Sequence, residues 1–410
     1  MNLKASGEKS LKLSFGTIDI EEFSKNLIFN ALSEKRLSCG RMVYEFEQQF
    51  ASITGAREAV AVSTGTDADT LALAVLHDFG AKRGDEVIVP ALSFIATGNA
   101  VLHAGFNPVF VDIDIKTLNI DPSKIDAAIT DRTIAIMPVH LMGKPAPMDS
   151  IMEIAEKHKL YVIEDAAEAH GMVYKGRNAG TIGDMGAFST YIAHIITTIE
   201  GGVVTTERED FAEILRSLRS HGRNCTCRSC VLNIGATYCR KRFERKNVDD
   251  IRFTFDRVGY SCKMNELEAA VGLGSLKRYN EILEKRYANL KYALKEMAQF
   301  EPYLYTIKEE SHEKIGPHAL PIIIGREASF SRKDLINHLA EGNIDSRTLF
   351  NSIPTQCKGY GFLGYKYSDF PNAEYIGTNG IHIGVHQNLN IEHMEYLVAK
   401  LREFIEIHQR

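Results

Sequence analysis

The stretch "AVAVSTGTDADTLALAV" (residues 59–75) sets a short run of small apolar residues against a glycine turn and then a run of good helix formers. That is a strand, a turn and a helix in succession. The N–H groups of such a turn, and the dipole of the helix it opens, suit Gly65 and Thr66 to an anion such as phosphate. The hydroxyls of Thr64 and Thr66 are further donors. The same turn serves equally well as a plain N-cap with no ligand, because it is common in α/β folds.

Working outward, short apolar runs recur at "EVIVP" (86–90), "PVFVDID" (108–114), "TIAIMPVH" (133–140), "LYVIEDA" (160–166) and "GGVVTT" (201–206), with helical patterns such as "MDSIMEIAEKHK" between them. This alternation predicts an α/β domain with a mainly parallel sheet flanked by helices. Residues 263–300 are nearly continuous helix former and predict one long connecting helix. Beyond about residue 300, runs such as "HALPIIIG" mix with "RKDLINHLAEG" and "NIEHMEYLVAKLREFIEIH", which reads as a smaller C-terminal α+β domain. The expected division is 1–285 for the large domain, with a cysteine-rich insertion near 223–247, and 286–410 for the small one.

Composition excludes several classes of function. The net charge is −5 over 410 residues with no basic block, so nothing points to nucleic acid. No apolar run approaches the roughly 18 residues of a membrane span. The opening "MNLKASGEKSLKLSF" has no signal-peptide core after its lysines, so the expected location is the cytoplasm. Of the seven cysteines, Cys39, Cys262 and Cys357 are isolated, while Cys225, Cys227, Cys230 and Cys239 crowd into fifteen residues. In a reducing compartment such a cluster is more often a metal site than a disulfide framework.

"LYVIEDAAEAHG" closes an apolar strand with Glu164 and Asp165, whose side chains alternate to opposite faces. One can enter a site at the strand's carboxyl end, where open α/β sheets bind ligands. An aspartate there can keep a pyridine-ring nitrogen protonated, or it can simply cap the next turn. "GAFST" offers Ser189 as a further phosphate donor, and "PALSFIATGNAV" offers Phe94, either for stacking on a flat ring or for the core.

Together with "LSCGRMVYEFEQQFA", "IMPVHLMGKPAPM", "GDMGAFST…TTIEGG", "LRSHGR" and "GYSCKMNELEAAVGL", these stretches resemble, in order, the DegT/DnrJ/EryC1/StrS family of sugar aminotransferases and dehydrases. The resemblance is strong over residues 30–280. It implies a fold-type-I, aspartate-aminotransferase-like fold, a homodimer with its site at the subunit interface, and pyridoxal or pyridoxamine phosphate as cofactor. It further implies that Gly65, Thr66 and Ser189 hold the cofactor phosphate, Asp165 the ring nitrogen and Phe94 the ring face, with Glu168 near the ring hydroxyl. Family members usually carry glutamine at that last position, and "GYN" where this chain has "GYS". Ser261 is the candidate to replace that asparagine's phosphate contact across the dimer.

The same alignment puts His194 of "YIAHIITTIEGG" in the slot of the Schiff-base lysine. Imidazole cannot form the stable imine, but it is a good base near neutral pH. The resemblance therefore narrows to nucleotide-sugar 3-dehydrases, which carry histidine here. On a 4-keto-6-deoxysugar joined to the cofactor amine, His194 would take the aminomethyl proton and the carbon-3 hydroxyl would leave. His221 of "LRSHG" is a candidate assistant, and an inactive cofactor-binding protein is the contrary reading.

Two such subtypes exist. One, of the colitose pathway, has no iron and draws its amine from glutamate. The other carries a 2Fe–2S cluster fed by a flavin/iron–sulfur reductase. The C-x-C-x2-C-x8-C pattern of Cys225, Cys227, Cys230 and Cys239 matches the ligand count of an iron–sulfur cluster or of structural zinc. Arg223, Arg228, Arg240, Lys241, Arg242 and Arg245 surround it, suited to lowering thiol pKa values or docking an acidic redox partner. The expectation is a 2Fe–2S enzyme, although "EDAAEAHG" lacks the cysteine that this subtype carries in that segment. Arg347 is a candidate for a diphosphate contact or a surface salt bridge.

Overall fold

The structure, a computed structural model, describes residues 12–35, 37–235, 237–244 and 249–409. Arg245 lies outside the described residues. Seven strands form the main sheet: β1 (Glu58–Val62), β2 (Glu86–Pro90), β3 (Asn107–Val111), β4 (Thr133–Ile136), β5 (Tyr161–Asp165), β6 (Met185–Ser189) and β7 (Gly202–Thr206). Their order is β1-β7-β6-β5-β4-β2-β3. The pairs from β6 to β3 are parallel, while β7 runs antiparallel to both β6 and β1. Strands such as β2 are buried along their whole length, as expected of a sheet covered on both faces. The antiparallel strand follows from chain length: the segment between Ser189 and Gly202 makes a hairpin return rather than a helical crossover. That return carries His194.

The sequence expectation omitted β6, because "MGAFS" is short and two of its five residues are glycine and alanine. Helix α1 (Gly65–Ala74) starts where the opening stretch predicts, with Thr64 accepting the Asp67 N–H at 3.0 Å as its N-cap. The helix is buried from Ala68 to Ala74.

The single long helix expected over 263–300 is instead two, α2 (Glu266–Lys277) and α3 (Tyr279–Met297), broken at Arg278 (φ −102°, ψ 8°). Helix formers continue across this point, so propensity carries no sign of the break. The Arg278 side chain is held there by Glu21 and Glu281. Asn265 and Glu268 form a capping box that starts α2.

A second, antiparallel sheet follows in the C-terminal third: β8 (Leu304–Tyr305), β9 (Ala319–Ile324), β10 (Ser346–Thr348) and β11 (Gly380–Gly384), in the order β8-β9-β11-β10. One apolar cluster runs from Val60 and Val89 of the first sheet to Ile322 and Ile381 of the second. The two sheets therefore share a core, and residues that begin or end the second sheet's strands can reach the carboxyl edge of the first. Among the described residues no helix is long and apolar enough to cross a membrane.

Candidate active site

The carboxyl ends of β1, β2, β5 and β6 open on one edge, and a cavity of about 820 Å³ lies there. Gly65, Thr66, Phe94, Asp165, Ser189 and His194 all line it. Glu168 and Arg347 do too. Residues drawn from distant parts of the sequence are thus brought to one place by the ordinary geometry of an open α/β sheet.

Gly65 begins α1 hard against the end of β6. A Cβ at Gly65 would lie 2.6 Å from the Ser189 Cβ, closer than any side chain tolerates. The absence of a side chain therefore lets the first turn of α1 and the Ser189 hydroxyl meet in a single cradle of donors. Ser189 is held from behind, where His170 Nε2–H donates to its carbonyl at 3.1 Å.

Glu164 and Asp165 divide as strand alternation requires. Glu164 is fully buried and accepts the amides of Gly180, Ile182 and Gly183 at 2.7–2.9 Å, and His140 Nε2–H at 3.0 Å. All of its partners are structural. Asp165 turns to the cavity, where Thr97 Oγ1–H donates to Oδ2 at 2.8 Å and Ala167 N–H to Oδ1 at 3.2 Å. Burial raises its pKa, against the pull of Thr97 and Ala167. A cationic group brought to this carboxyl would reverse that shift.

Phe94 is 58% exposed although it lines the cavity, which removes core packing as its reason. It lies tilted 5.5 Å from Phe350, and its free face is available to a flat ring.

His194 sits in the β6–β7 return, its own N–H donating to the Tyr191 carbonyl at 2.9 Å. Its Nδ1 lies 2.7 Å from the Ala167 carbonyl. A carbonyl can only accept, so the proton is on Nδ1 and Nε2 is a bare acceptor. Burial lowers the pKa of this imidazole to about 4, so it is unprotonated at neutral pH. A neutral histidine in a set tautomer can accept a proton at its free nitrogen.

Four cavity residues carry no obvious signal in the sequence. Asp69 lies one helical turn beyond Gly65, and that spacing is the only hint of it. Its pKa is raised well above the ordinary range by burial and by Asp165, and its Oδ1 has no partner among the described residues. Thr97 is known only by its bond to Asp165. His318 and His382 come from β9's approach and from β11, far along the chain, and no local pattern announces them. Arg347 makes no ion pair among the described residues and lies over the Phe15 ring, 3.8 Å from its centroid, so the surface salt bridge is not what places it.

Two expected residues are not brought to this cavity. His221 is exposed, in the left-handed region (φ 69°), with its N–H on the Tyr260 carbonyl at 2.7 Å. Ser261 is also exposed, bridged to Ser220. The role expected of Ser261 lies across a subunit interface rather than in its own chain's cavity.

The four clustered cysteines lie apart from this cavity. Cys225, Cys227, Cys230 and Cys239 line a separate cavity of about 230 Å³, joined there by Cys39, while buried Cys262 takes no part. Cys225 and Cys227 approach to 3.9 Å between sulfurs. Yet among the described residues no group of three or more cysteine, histidine or carboxylate side chains is placed to hold a metal ion. Four thiolates must converge to within about 2.3 Å of one metal. The loop is tied down by ion pairs, Arg228 to Glu58 and Arg242 to Asp250. The Cys225 pKa falls to about 6, first through its contact with Cys227 and then through Arg252 and Arg223. The surrounding bases are thus a secondary cause.

Comparison with known proteins agrees with the geometry. A model described as the DegT/DnrJ/EryC1/StrS aminotransferase family matches residues 18–402. The chain is 35% identical over 397 residues to dTDP-4-dehydro-2,6-dideoxy-D-glucose 3-dehydratase of Saccharopolyspora spinosa, spanning 94% of this chain and 85% of that protein. It is equally 35% identical, over 372 residues, to GDP-perosamine synthase of Caulobacter vibrioides (90% and 91%). Among solved structures, GDP-4-keto-6-deoxymannose-3-dehydratase with a trapped PLP-glutamate geminal diamine superposes with a TM-score of 0.82 at 30% identity, over 96% of this chain and all of that one.

Proposed function

The chain belongs to the DegT/DnrJ/EryC1/StrS aminotransferase family, and on that premise we propose that it is a pyridoxamine-phosphate-dependent 3-dehydratase of a nucleotide-linked 4-keto-6-deoxyhexose, supplied with its amine by glutamate. The observation that carries this is His194. Identity alone does not separate a dehydratase from a synthase, since both kinds of relative stand at 35%. The presence of a bare, neutral imidazole nitrogen where an imine-forming lysine would be does separate them.

The residues present fit the cofactor. The first-turn amides of Gly65 and Thr66, with the Ser189 hydroxyl, would take its phosphate. Asp165 would hold the ring nitrogen, Phe94 would cover one face, and Glu168 would lie at the ring hydroxyl. When bound, pyridoxal phosphate or its amine form supplies an electron sink for the adjoining carbon. His194 Nε2 then takes the proton whose loss precedes departure of the sugar's carbon-3 hydroxyl. Arg347, free of ion pairs among the described residues at the cavity wall, suits the diphosphate of the sugar nucleotide. The enzyme would work as a homodimer in which Ser261 serves the partner's site.

The glutamate-dependent route is preferred to the iron–sulfur one because, among the described residues, no group of three or more thiol, imidazole or carboxylate side chains is placed to hold a metal. The trapped glutamate adduct in the solved relative supports the same choice. A reductase then has no part in turnover. Protein purified without oxygen is expected to hold cofactor with no stoichiometric iron or acid-labile sulfide. Fed L-glutamate and a 4-keto-6-deoxyhexose nucleotide, it should release 2-oxoglutarate and a 3-deoxy sugar. About two irons and two sulfides per protomer, with turnover only when a reductase is added, would sink this reading in favour of electron-fed deoxygenation.

Gly65→Ala is expected to weaken binding of pyridoxal phosphate to the apoprotein about ten- to a hundredfold, because overpacking by one methyl costs about 1–3 kcal/mol. Fluorescence titration of the variant checks it. An unchanged affinity would show that the cradle is not the phosphate site.

A further inference from the structure

One wall of the cavity is a row of rings that ends in a cation. Phe94, which would cover the cofactor ring, lies 5.5 Å from Phe350, Phe350 5.9 Å from His382, and His382 5.0 Å from Phe15, centroid to centroid. Phe15 in turn carries the Arg347 guanidinium over its face, 3.8 Å from the ring centroid. All five residues line the cavity.

Arg347 and His382 are partners across β10 and β11, so their side chains leave the second sheet on the same face. Burial, and then Arg347 itself, lowers the His382 pKa to about 3, so this ring is neutral and does not repel the guanidinium. Phe15 comes from the opposite end of the chain. Leu13 N–H donates to the Asn343 carbonyl at 3.0 Å, and the Leu13 carbonyl accepts the Asp345 N–H at 2.8 Å, which ties this segment to the turn before β10. His386 Nε2–H donates to the Ser14 carbonyl at 3.1 Å. A Cβ at Gly384 would collide with the Phe15 carbonyl, so the glycine that ends β11 lets the segment lie against the sheet. Phe15 is buried, whereas Arg347 is exposed at the cavity wall. Among the described residues the guanidinium makes no hydrogen bond or ion pair, so the face of Phe15 is what places it.

A cation–π contact restrains an arginine without consuming its N–H donors. An arginine restrained beforehand loses less side-chain freedom when it closes on a diphosphate, which it can meet with two parallel N–H bonds. Resting on the dehydratase reading, we propose that Phe15 is a positioning residue for the substrate: its ring holds Arg347 toward the diphosphate of the sugar nucleotide. The N-terminal segment thereby sets nucleotide affinity and takes no part in the proton transfers. Phe15 acts through Arg347 alone.

The test is a double-mutant cycle on the holoenzyme, with GDP and dTDP as the probes in titration calorimetry. Arg347→Gln should weaken the tighter of the two about ten- to a hundredfold, the usual share of a hydrogen bond to a charged group. Phe15→Leu should weaken it about two- to tenfold, the cost of ordering one long side chain. Phe15→Tyr, which keeps the ring face, should bind like the wild type. In the Arg347→Gln background, Phe15→Leu should cost nothing further. With a 4-keto-6-deoxyhexose nucleotide as substrate, KM in Phe15→Leu should rise by the same factor while kcat stays within about twofold. An unaltered affinity in Arg347→Gln, equal losses from Phe15→Leu in both backgrounds, Phe15→Tyr as weak as Phe15→Leu, or a wild type that binds neither diphosphate overturns the proposal. If the cycle shows the coupling and no such sugar turns over, the dehydratase reading fails while the placement of Arg347 by Phe15 stands.

Discussion

His194→Asn should lower dehydration by about 10²–10⁴-fold, the usual contribution of a positioned general base, with affinity for pyridoxamine phosphate changed less than about threefold. Asparagine keeps the side chain's size and its donor toward the Ala167 carbonyl, so the return between β6 and β7 should stand. What it lacks is a basic nitrogen. The phosphate cradle at Gly65 and Ser189 and the carboxyl of Asp165 lie on other elements and are untouched. Product release with saturating glutamate, beside a cofactor titration, measures both quantities. Retained turnover would remove His194 from the chemistry, and lost binding would make it structural.

The pH profile adds an independent check. The base works only when neutral, and burial sets its pKa at about 4 rather than the usual 6.5. The rate should therefore hold as pH falls through 6 and decline only toward 4. A decline centred near 6.5 would mean that the working base is a solvated histidine rather than buried His194.

Asp165→Asn should cut both cofactor affinity and turnover by about 10²–10⁴-fold. Removing one member of a buried charge pair costs about 3–5 kcal/mol, and each 1.4 kcal/mol is a factor of ten. The Thr97 hydroxyl and the Ala167 amide already point donors at this carboxyl, so an amide in its place must also turn an N–H toward one of them. The effect should be read as weaker binding in a cofactor titration together with slower exchange of the aminomethyl hydrogen. Unaltered exchange would mean that the ring nitrogen is held by another group. The unpartnered Asp69 is the first to examine, because it shares the cavity.

Legibility varied with how local each feature is. The strand, turn and helix at 59–75 could be read because each part carries its own residue signature within a few positions. The opposed faces of Glu164 and Asp165 followed from strand alternation alone. Phe94 could not be assigned between core and ring from sequence, because both uses call for the same residue. Its exposure at the cavity removes the core reading. The break at Arg278 escaped because helix propensity does not register it.

The cysteines show what spacing leaves out. A pattern that matches a ligand count says nothing about how the thiols are arranged in space, and ion pairs from Arg228 and Arg242 anchor their loop. Their joint cavity with Cys39 brings in a residue from the far N-terminal side of the chain.

By itself the sequence determined the α/β class, the strand, turn and helix at 59–75 and the opposed faces of Glu164 and Asp165, each written in contiguous residues whose backbone preferences and side-chain types are sufficient, while the cofactor roles of Asp165 and His194 are what the family resemblance implies. Only the tertiary structure decided which nitrogen of His194 is free, that Glu168 meets His318, and that Cys39 joins the four clustered cysteines at one cavity. Such contacts join residues far apart in the chain, and their distances and burial, which set the protonation states, exist only once the chain has folded.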